Sequence, residues 1–275
     1  MNPYILSQMP FFSVDSPLLD YSRNVTSQNG EDGILEFIFT KIPTSKTKYC
    51  VEFGAWDGVF LSNCHNLITQ HQWNGLLIES NEQKFLQLVL NHGQNRSVTC
   101  LNLQVGFDGI NCLDNILVRT NVPHDFELLS IDIDGADYFI WDSLTHFTPK
   151  VVVIEFNPSV PNDVLFVQEK SMRINHGASL LALVLLAKRM GYELVCCTSC
   201  NAIFVRAEYY SLFGIQSNHP TKLFKPTCDG RIFHGYDSSI FVCGMSTLIW
   251  SGVTVDSSDF QVLPKSLRNY SDSQA

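Results

Sequence analysis

No cluster of Lys or Arg occurs in this 275-residue chain, whose formal net charge is −9. A groove for a nucleic-acid backbone needs such a basic patch, so no nucleic-acid partner is expected. Long apolar runs are missing as well. No stretch approaches the roughly 18–20 apolar residues that cross a bilayer, so no membrane span is expected. The opening Met1-Asn-Pro-Tyr-Ile-Leu-Ser-Gln has neither a basic flank nor a long apolar run ending in small residues, unlike a secretory leader. The expectation is an intracellular, cytoplasmic protein. On that reading the nine cysteines, several of them inside apolar runs (Cys50, Cys100, Cys196, Cys243), are reduced core thiols rather than a disulfide framework. A Gly-x-Ser-x-Gly elbow and a Gly-Lys-Ser/Thr phosphate loop are both absent, which removes the main support for a serine hydrolase or a nucleoside triphosphatase. There is no histidine cluster, no internal repeat and no low-complexity segment.

What is present is a globular composition, 45% hydrophobic and 16% charged, able to bury a large core. Tyr49-Cys-Val-Glu-Phe-Gly-Ala-Trp-Asp-Gly58 reads as a strand that ends in an acid and runs into a glycine turn. A helix over 62–71 follows, then a second acid-tipped strand, Gly75–Glu79. The alternation continues with a helix over Glu82–His92 (Phe85, Leu86, Val89 and Leu90 on one side), a strand over Ser97–Leu103, a short helix over Leu113–Arg119 and a strand over Leu128–Asp132. A helix over Tyr138–Leu144 and the apolar strand Val151–Glu155 complete it. Such spacing predicts an α/β fold, a mostly parallel sheet with helices on both faces. Upstream, Ser27 or Asn29 is a candidate cap for a helix over Glu31–Lys41, whose first-turn acids Glu31 and Asp32 suit the helix dipole. Downstream lies a helix over Ala178–Met190 ended by Gly191, then a hairpin of Tyr192–Cys197 and Ala202–Arg206.

Open α/β sheets place ligands at the carboxyl ends of their strands, and three groups of residues fall there. The first is the glycine turn. Its Gly54-Ala-Trp-Asp-Gly58 spacing departs from the Gly-x-Gly-x-x-Gly of dinucleotide binders, which points to a smaller ligand. Asp57 suits a ligand ammonium and Glu79 a ribose diol, and S-adenosylmethionine (SAM) carries both groups; a packing turn with solvated acids is the alternative. The second group is Asp132, Asp134 and Asp137, where Asp132 and Asp134 share a face if the strand continues through them. The third is Glu155 and Asn157. Asp132, Asp134, Glu155 and Asn157 together form either a hydrogen-bonding base network or an oxygen set for Mg²⁺ or Ca²⁺. His176, ahead of the long helix, is either a base or a cap residue. Cys197-Thr-Ser-Cys200 has zinc-knuckle spacing without a second pair, and hairpin packing explains Cys196 and Cys200 better. His65, His146 and His234 default to structure. Aromatics of the tail (Phe224, Phe233, Tyr236, Trp250) either floor a pocket or pack.

Taken in order, Ser27-Gln-Asn-Gly-Glu-Asp-Gly33, Val51-Glu-Phe-Gly-Ala-Trp-Asp-Gly58 with Leu61-Ser-Asn63, Ile78-Glu79, Ile131-Asp-Ile-Asp-Gly-Ala-Asp-Tyr138 and Val153-Ile-Glu-Phe-Asn157 resemble the FkbM-type SAM-dependent methyltransferases. The resemblance implies a Rossmann-like class I methyltransferase sandwich whose seven-stranded sheet has the order 3-2-1-4-5-7-6, with the last strand antiparallel. It divides the chain into an arm (1–25), a methyltransferase-like domain (26–206) and a C-terminal cap or flank (207–275). It also implies that Glu52, Gly54, Ala55, Asp57, Gly58 and Asn63 line the methionine side of SAM. Glu79 would hold the ribose, Asn102 to Val105 would flank the adenine, and Asp132 would face the sulfonium and the acceptor. The implied activity is O-methylation of a hydroxyl on a small molecule or sugar. Asp-Ile-Asp-Gly stands here where many relatives have Asp-Val-Glu-Gly, and residues 207–275 lie outside the shared region. Two rival readings are a catalytically silent SAM-binding scaffold and a carboxylate-rich metal-dependent hydrolase.

Overall fold

The computed structural model describes residues 16–226, 230–244, 247–248 and 251–268. Trp250 and most of the N-terminal arm lie outside them. After a 3₁₀ turn at Pro17–Tyr21, the elements run α1 (Glu31–Lys41), β1 (Tyr49–Phe53), α2 (His65–Thr69), β2 (Asn74–Glu79), α3 (Glu82–His92), β3 (Val98–Asn102), α4 (Leu113–Leu117), β4 (Leu128–Ile131), α5 (Asp137–Ser143), β5 (Val151–Glu155), α6 (Leu180–Arg189), β6 (Tyr192–Cys197) and β7 (Asn201–Arg206). A short α7 (Pro220–Leu223) and a hairpin of β8 (Arg231–His234) and β9 (Ile240–Cys243) follow.

β1 to β7 form one sheet of order β3-β2-β1-β4-β5-β7-β6. β1 pairs in parallel with β2 and β4, and β7 runs antiparallel between β5 and β6. This is the seven-stranded topology of the class I methyltransferase fold. Crossover helices on both faces explain why β1 and β4 are buried at every position and β5 at all but its last, as continuous apolar strands require. Where the sheet order reverses, β1 and β4 lie side by side. The register pairs Phe53 with Ile131, so the loops after both strands open on the same carboxyl edge.

Four expectations change. Strand four stops at Ile131 and Asp134 adopts a left-handed φ of 58°, so Asp132 and Asp134 are loop residues rather than alternate strand positions. The helix expected from residue 62 begins at His65, because Leu61 is left-handed (φ 60°) and Ser62 and Asn63 turn down onto Glu52. In α3 the buried residues are Leu88 and His92, whereas Leu86, Val89 and Leu90 face outward at 58%, 38% and 82% exposure. The α1 cap is Gly30 rather than Ser27 or Asn29, although the Ser27 hydroxyl still accepts the free N–H of Asp32.

Downstream of β7, Phe213, Ile215, Leu223 and Phe224 join the main core, and Phe224 meets Phe156 edge to face at 4.8 Å. Phe233 and Tyr236 of the hairpin region are exposed. Cys196 is buried in β6 and Cys200 in the turn that joins it to β7, as expected of hairpin packing; the described cysteines are all free thiols, although Cys243 is exposed rather than in the core. No helix among the described residues is long and apolar enough to cross a membrane.

Candidate active site

The turn after β1 begins with a glycine because nothing larger fits. Gly54 has φ +72°, and a Cβ there would lie 1.6 Å from the carbonyl oxygen of Asp132. Only bare backbone lets the β1 and β4 loops approach this closely. Ala55 then donates its N–H to the Ile78 carbonyl at 3.1 Å, tying the turn to β2. Glu79 at the tip of β2 receives the N–H of Trp56 at 2.8 Å and that of Asn81 at 2.6 Å, one on each oxygen. Two backbone donors thus orient the buried carboxylate, and each oxygen keeps a further acceptor site. Glu52, beneath the turn, accepts from the Ser62 hydroxyl at 2.5 Å and the Asn63 N–H at 2.8 Å. Burial pushes its carboxyl up to about 7, against the pull of those donors.

These groups enclose a cavity of about 530 Å³, lined by Gln28, Glu52, Gly54, Ala55, Trp56, Asn63, Glu79, Asp132, Asp134 and Glu155 among others. Two smaller cavities adjoin it. One, of about 100 Å³, shares Gly54, Ser80 and Ile133 with it and adds Leu103, Gln104, Val105, Met172 and Ile174. The other, of about 290 Å³, shares Asp134 and Glu155 and adds Asn157, Asn175 and His176. The structure therefore brings together Glu52, Gly54, Ala55, Asn63, Glu79, Asp132, Asp134 and Glu155 around one space, with Val105 in one annex and Asn157 and His176 in the other.

Asp57, Gly58 and Asn102 are not brought to these walls. Asp57 accepts the N–H groups of Val59 and Phe60 at 2.9 and 2.7 Å, which closes its own turn. Gly58 faces α3, where a Cβ would lie 2.4 Å from Leu88, and its carbonyl meets His92 and His65. Asn102 spends its carboxamide donor on the Glu79 and Ser80 carbonyls. Conversely, Gln28, Trp56, Ser80, Met172 and Ile174 line the space without having been given a role from the sequence, while Gln104 lines it as part of the Asn102–Val105 stretch. Gln28 stood in a quoted motif, but Met172 and Ile174 arrive from an irregular segment that no periodicity marks.

One oxygen each of Asp132, Asp134 and Glu155 lies within 4.8 Å of the others. Desolvation first, then repulsion from Asp137, Asp134 and Glu52, raises the Asp132 carboxyl well above the ordinary range, although the residue keeps contact with solvent at the mouth. Glu155 is raised by desolvation and then by Asp132. Such carboxyls exchange protons near neutral pH. Asn157 stands apart from the three. Its oxygen accepts from the N–H and hydroxyl of Ser159, and its nitrogen donates to the His176 carbonyl. The wall also holds an orphan, because the buried Asn63 Oδ1 has no hydrogen-bond partner while its Nδ2 donates to Ser130 Oγ at 3.1 Å.

No family model matches the chain, and no curated protein matches it in sequence. Among solved structures it is similar to the CurJ carbon methyltransferase (8% identity, TM-score 0.44, over 64% of this chain and 52% of that one). It is similar also to the N-terminal domain of EvdMO1 with SAH bound (13%, 0.44, 66% and 82%) and to precorrin-6y C5,15-methyltransferase from Geobacter metallireducens (13%, 0.40, 67% and 92%). The chain spans about half the length of the CurJ methyltransferase chain. At such identities and scores these likenesses carry no argument of their own, and the fold stands on its strand order.

Proposed function

We propose that the chain is a SAM-dependent methyltransferase that methylates a hydroxyl of a small molecule or sugar. The observation that carries the reading is Glu79. A carboxylate at the tip of β2, oriented by two backbone N–H groups and facing a cavity floored by the Gly54 turn, is what a vicinal ribose diol requires. The rest of the wall fits the same ligand. The annex at Leu103–Val105, Met172 and Ile174, where Ser80, Gln104 and Asn175 add polar groups to the apolar ones, offers a slot for a purine. The unpartnered Asn63 oxygen suits an ammonium, and the carboxylates suit a sulfonium. SAM when bound supplies an electrophilic methyl group.

The residues shared with the second annex act on the acceptor. Asp134 and Glu155 line both spaces, so a hydroxyl held by Asn175 and His176 would lie beside them. Its proton would pass to whichever of Asp132 and Glu155 is ionised, and their raised affinity for a proton makes them competent bases at neutral pH. Positioning accounts for much of the remaining barrier. Asp132, Asp134 and Glu155 also offer three oxygens close enough for one Mg²⁺, which would acidify a bound hydroxyl directly. Turnover that survives EDTA in full would remove that version and keep the base network.

Titration calorimetry with SAM and S-adenosylhomocysteine (SAH) tests the reading. Both are expected to bind, and Glu79→Ala is expected to weaken both by about ten- to a hundredfold, as loss of a charge-assisted hydrogen bond does. Absence of binding to the unaltered chain would overturn the proposal. Binding without turnover on any hydroxylic acceptor would favour a silent SAM-binding scaffold.

A further inference from the structure

Two carboxylates have no part in this chemistry, Glu31 and Asp32, and both are shut away from solvent (0% and 1% exposed). Buried charge is costly unless hydrogen-bonded, and four of the six bonds these two accept come from one loop, the other two from the β6–β7 hairpin. Asp32 Oδ2 accepts the N–H groups of Val25, Thr26 and Ser27 at 2.7, 2.8 and 2.8 Å. Glu31 accepts the Asn29 N–H at 2.7 Å on one oxygen, and Thr198 Oγ1 and Asn201 Nδ2 at 2.6 and 3.0 Å on the other. Thr26 Oγ1 donates to the Ser62 carbonyl at 3.2 Å, joining the loop to the far end of the β1 turn. The loop is thus pinned from below by α1, from one side by β7 and from the other by the segment that carries Asn63.

What this clamp holds out is Gln28, exposed and on the wall of the large cavity. The Cys200 thiol donates to Gln28 Oε1 at 3.7 Å, which leaves the Nε2 donors without a partner among the described residues. That wall contains five carboxylates (Glu52, Glu79, Asp132, Asp134, Glu155) and, among the described residues that line it, no Lys, Arg or His. An anionic ligand group entering it needs neutral N–H donors, and Gln28 supplies a pair of them from the loop that Thr26 ties to Ser62. The orphan Asn63 Oδ1 offers the opposite polarity, an acceptor for a cationic group. An uncommitted donor and an uncommitted acceptor in the lining of one cavity complement a zwitterion.

We propose that Gln28 is a cofactor-binding residue that donates to the α-carboxylate of SAM, while Asn63 Oδ1 accepts from its α-ammonium. The proposal rests on the methyltransferase reading and extends it to the amino-acid end of the ligand. It gives the Ser27–Gly33 motif a function, in which the buried acids Glu31 and Asp32 position Gln28.

Calorimetry on the full chain with two probes separates the two readings. SAH carries the amino-acid end, and methylthioadenosine has the same adenosine without it. Gln28→Ala is expected to lower SAH affinity about tenfold, the worth of one hydrogen bond to a charged group. Gln28→Glu, which adds a sixth carboxylate, is expected to lower it further. Neither is expected to change methylthioadenosine affinity, and because Gln28 is exposed both variants should melt with the unaltered chain. SAH binding unchanged by Gln28→Ala, or SAH and methylthioadenosine weakened alike, would overturn the role of Gln28 and leave the methyltransferase reading standing. Failure of the unaltered chain to bind either probe would overturn both.

Discussion

At the scale of single residues, the acids under the cavity make stability depend on pH in a stated direction. Glu52 is 4% exposed, and its carboxyl moves from 4.5 to about 7 on folding, chiefly through burial. The native state therefore holds this proton more tightly than the unfolded chain does. The contribution is complete below pH 4.5, declines between, and is gone above pH 7. Its size is about 3 kcal/mol at 1.36 kcal/mol per unit. Asp132 and Glu155 shift in the same direction. Glu36, held near 2 with Arg23, Asn66 and His71 outweighing its desolvation, changes only at more acid pH and offsets nothing in this window. Calorimetric melts should show the melting temperature falling from pH 5 to pH 7.5, and Glu52→Gln should flatten that slope; an unaltered slope in the variant would count against the assignment. Glu52 and Glu79 were legible in the sequence, because an acid that ends an apolar strand stands out. Asp57 was misleading for a local reason. An aspartate that closes its own turn and one that awaits a ligand look alike until the N–H groups of Val59 and Phe60 are seen on it.

At the scale of elements, strands were easier to read than helix faces. β5 and β6 fall where their apolar runs predict, with polar or glycine residues bounding them. α3 has the expected ends but a different inner face. Phe85 packs against the core as expected, but Leu86, Val89 and Leu90 satisfy helical spacing as well as Leu88 and His92 do, and the sequence rule counts a histidine as polar. In the fold, Gly58 brings backbone against His92, whose ring donates to or accepts from its neighbours there rather than water. Leu88→Ala should accordingly cost about 2–5 kcal/mol, as a fully buried leucine does. Leu90→Ser, at a position 82% exposed, should stay within about 0.5 kcal/mol. Urea unfolding of the two variants checks this, and equal losses would contradict the observed face.

At the scale of the whole molecule, the alternation of strands and helices made a mostly parallel sheet legible, and the order of its strands was legible through the family resemblance alone. The role of the segment after β7 was not. Its aromatics are irregularly spaced, and only the packing separates Phe213, Ile215, Leu223 and Phe224, which complete the main core, from the exposed Phe233 and Tyr236. A chain ended after residue 226 should melt cooperatively close to the full-length chain. One ended after residue 206 should lose several kcal/mol through the core surface laid bare over Phe156 and α6. Similar melts for the two truncations would contradict this division.

The acid-lined cavity has a further consequence, for the exchange of ligands. If the chain transfers methyl groups as proposed, the charge of the bound cofactor changes during turnover, from a sulfonium to a neutral thioether. Carboxyls that ionise beside a cation must take protons back when that cation is gone, so each cycle is coupled to proton uptake and release by the wall. Preference for SAM over SAH should therefore widen as pH rises from 6 to 8.5, read as the ratio of their dissociation constants; a constant ratio would show that the acids do not sense the ligand. A wall built this way sheds spent cofactor most readily in alkaline solution, and product inhibition would deepen as the medium becomes acid.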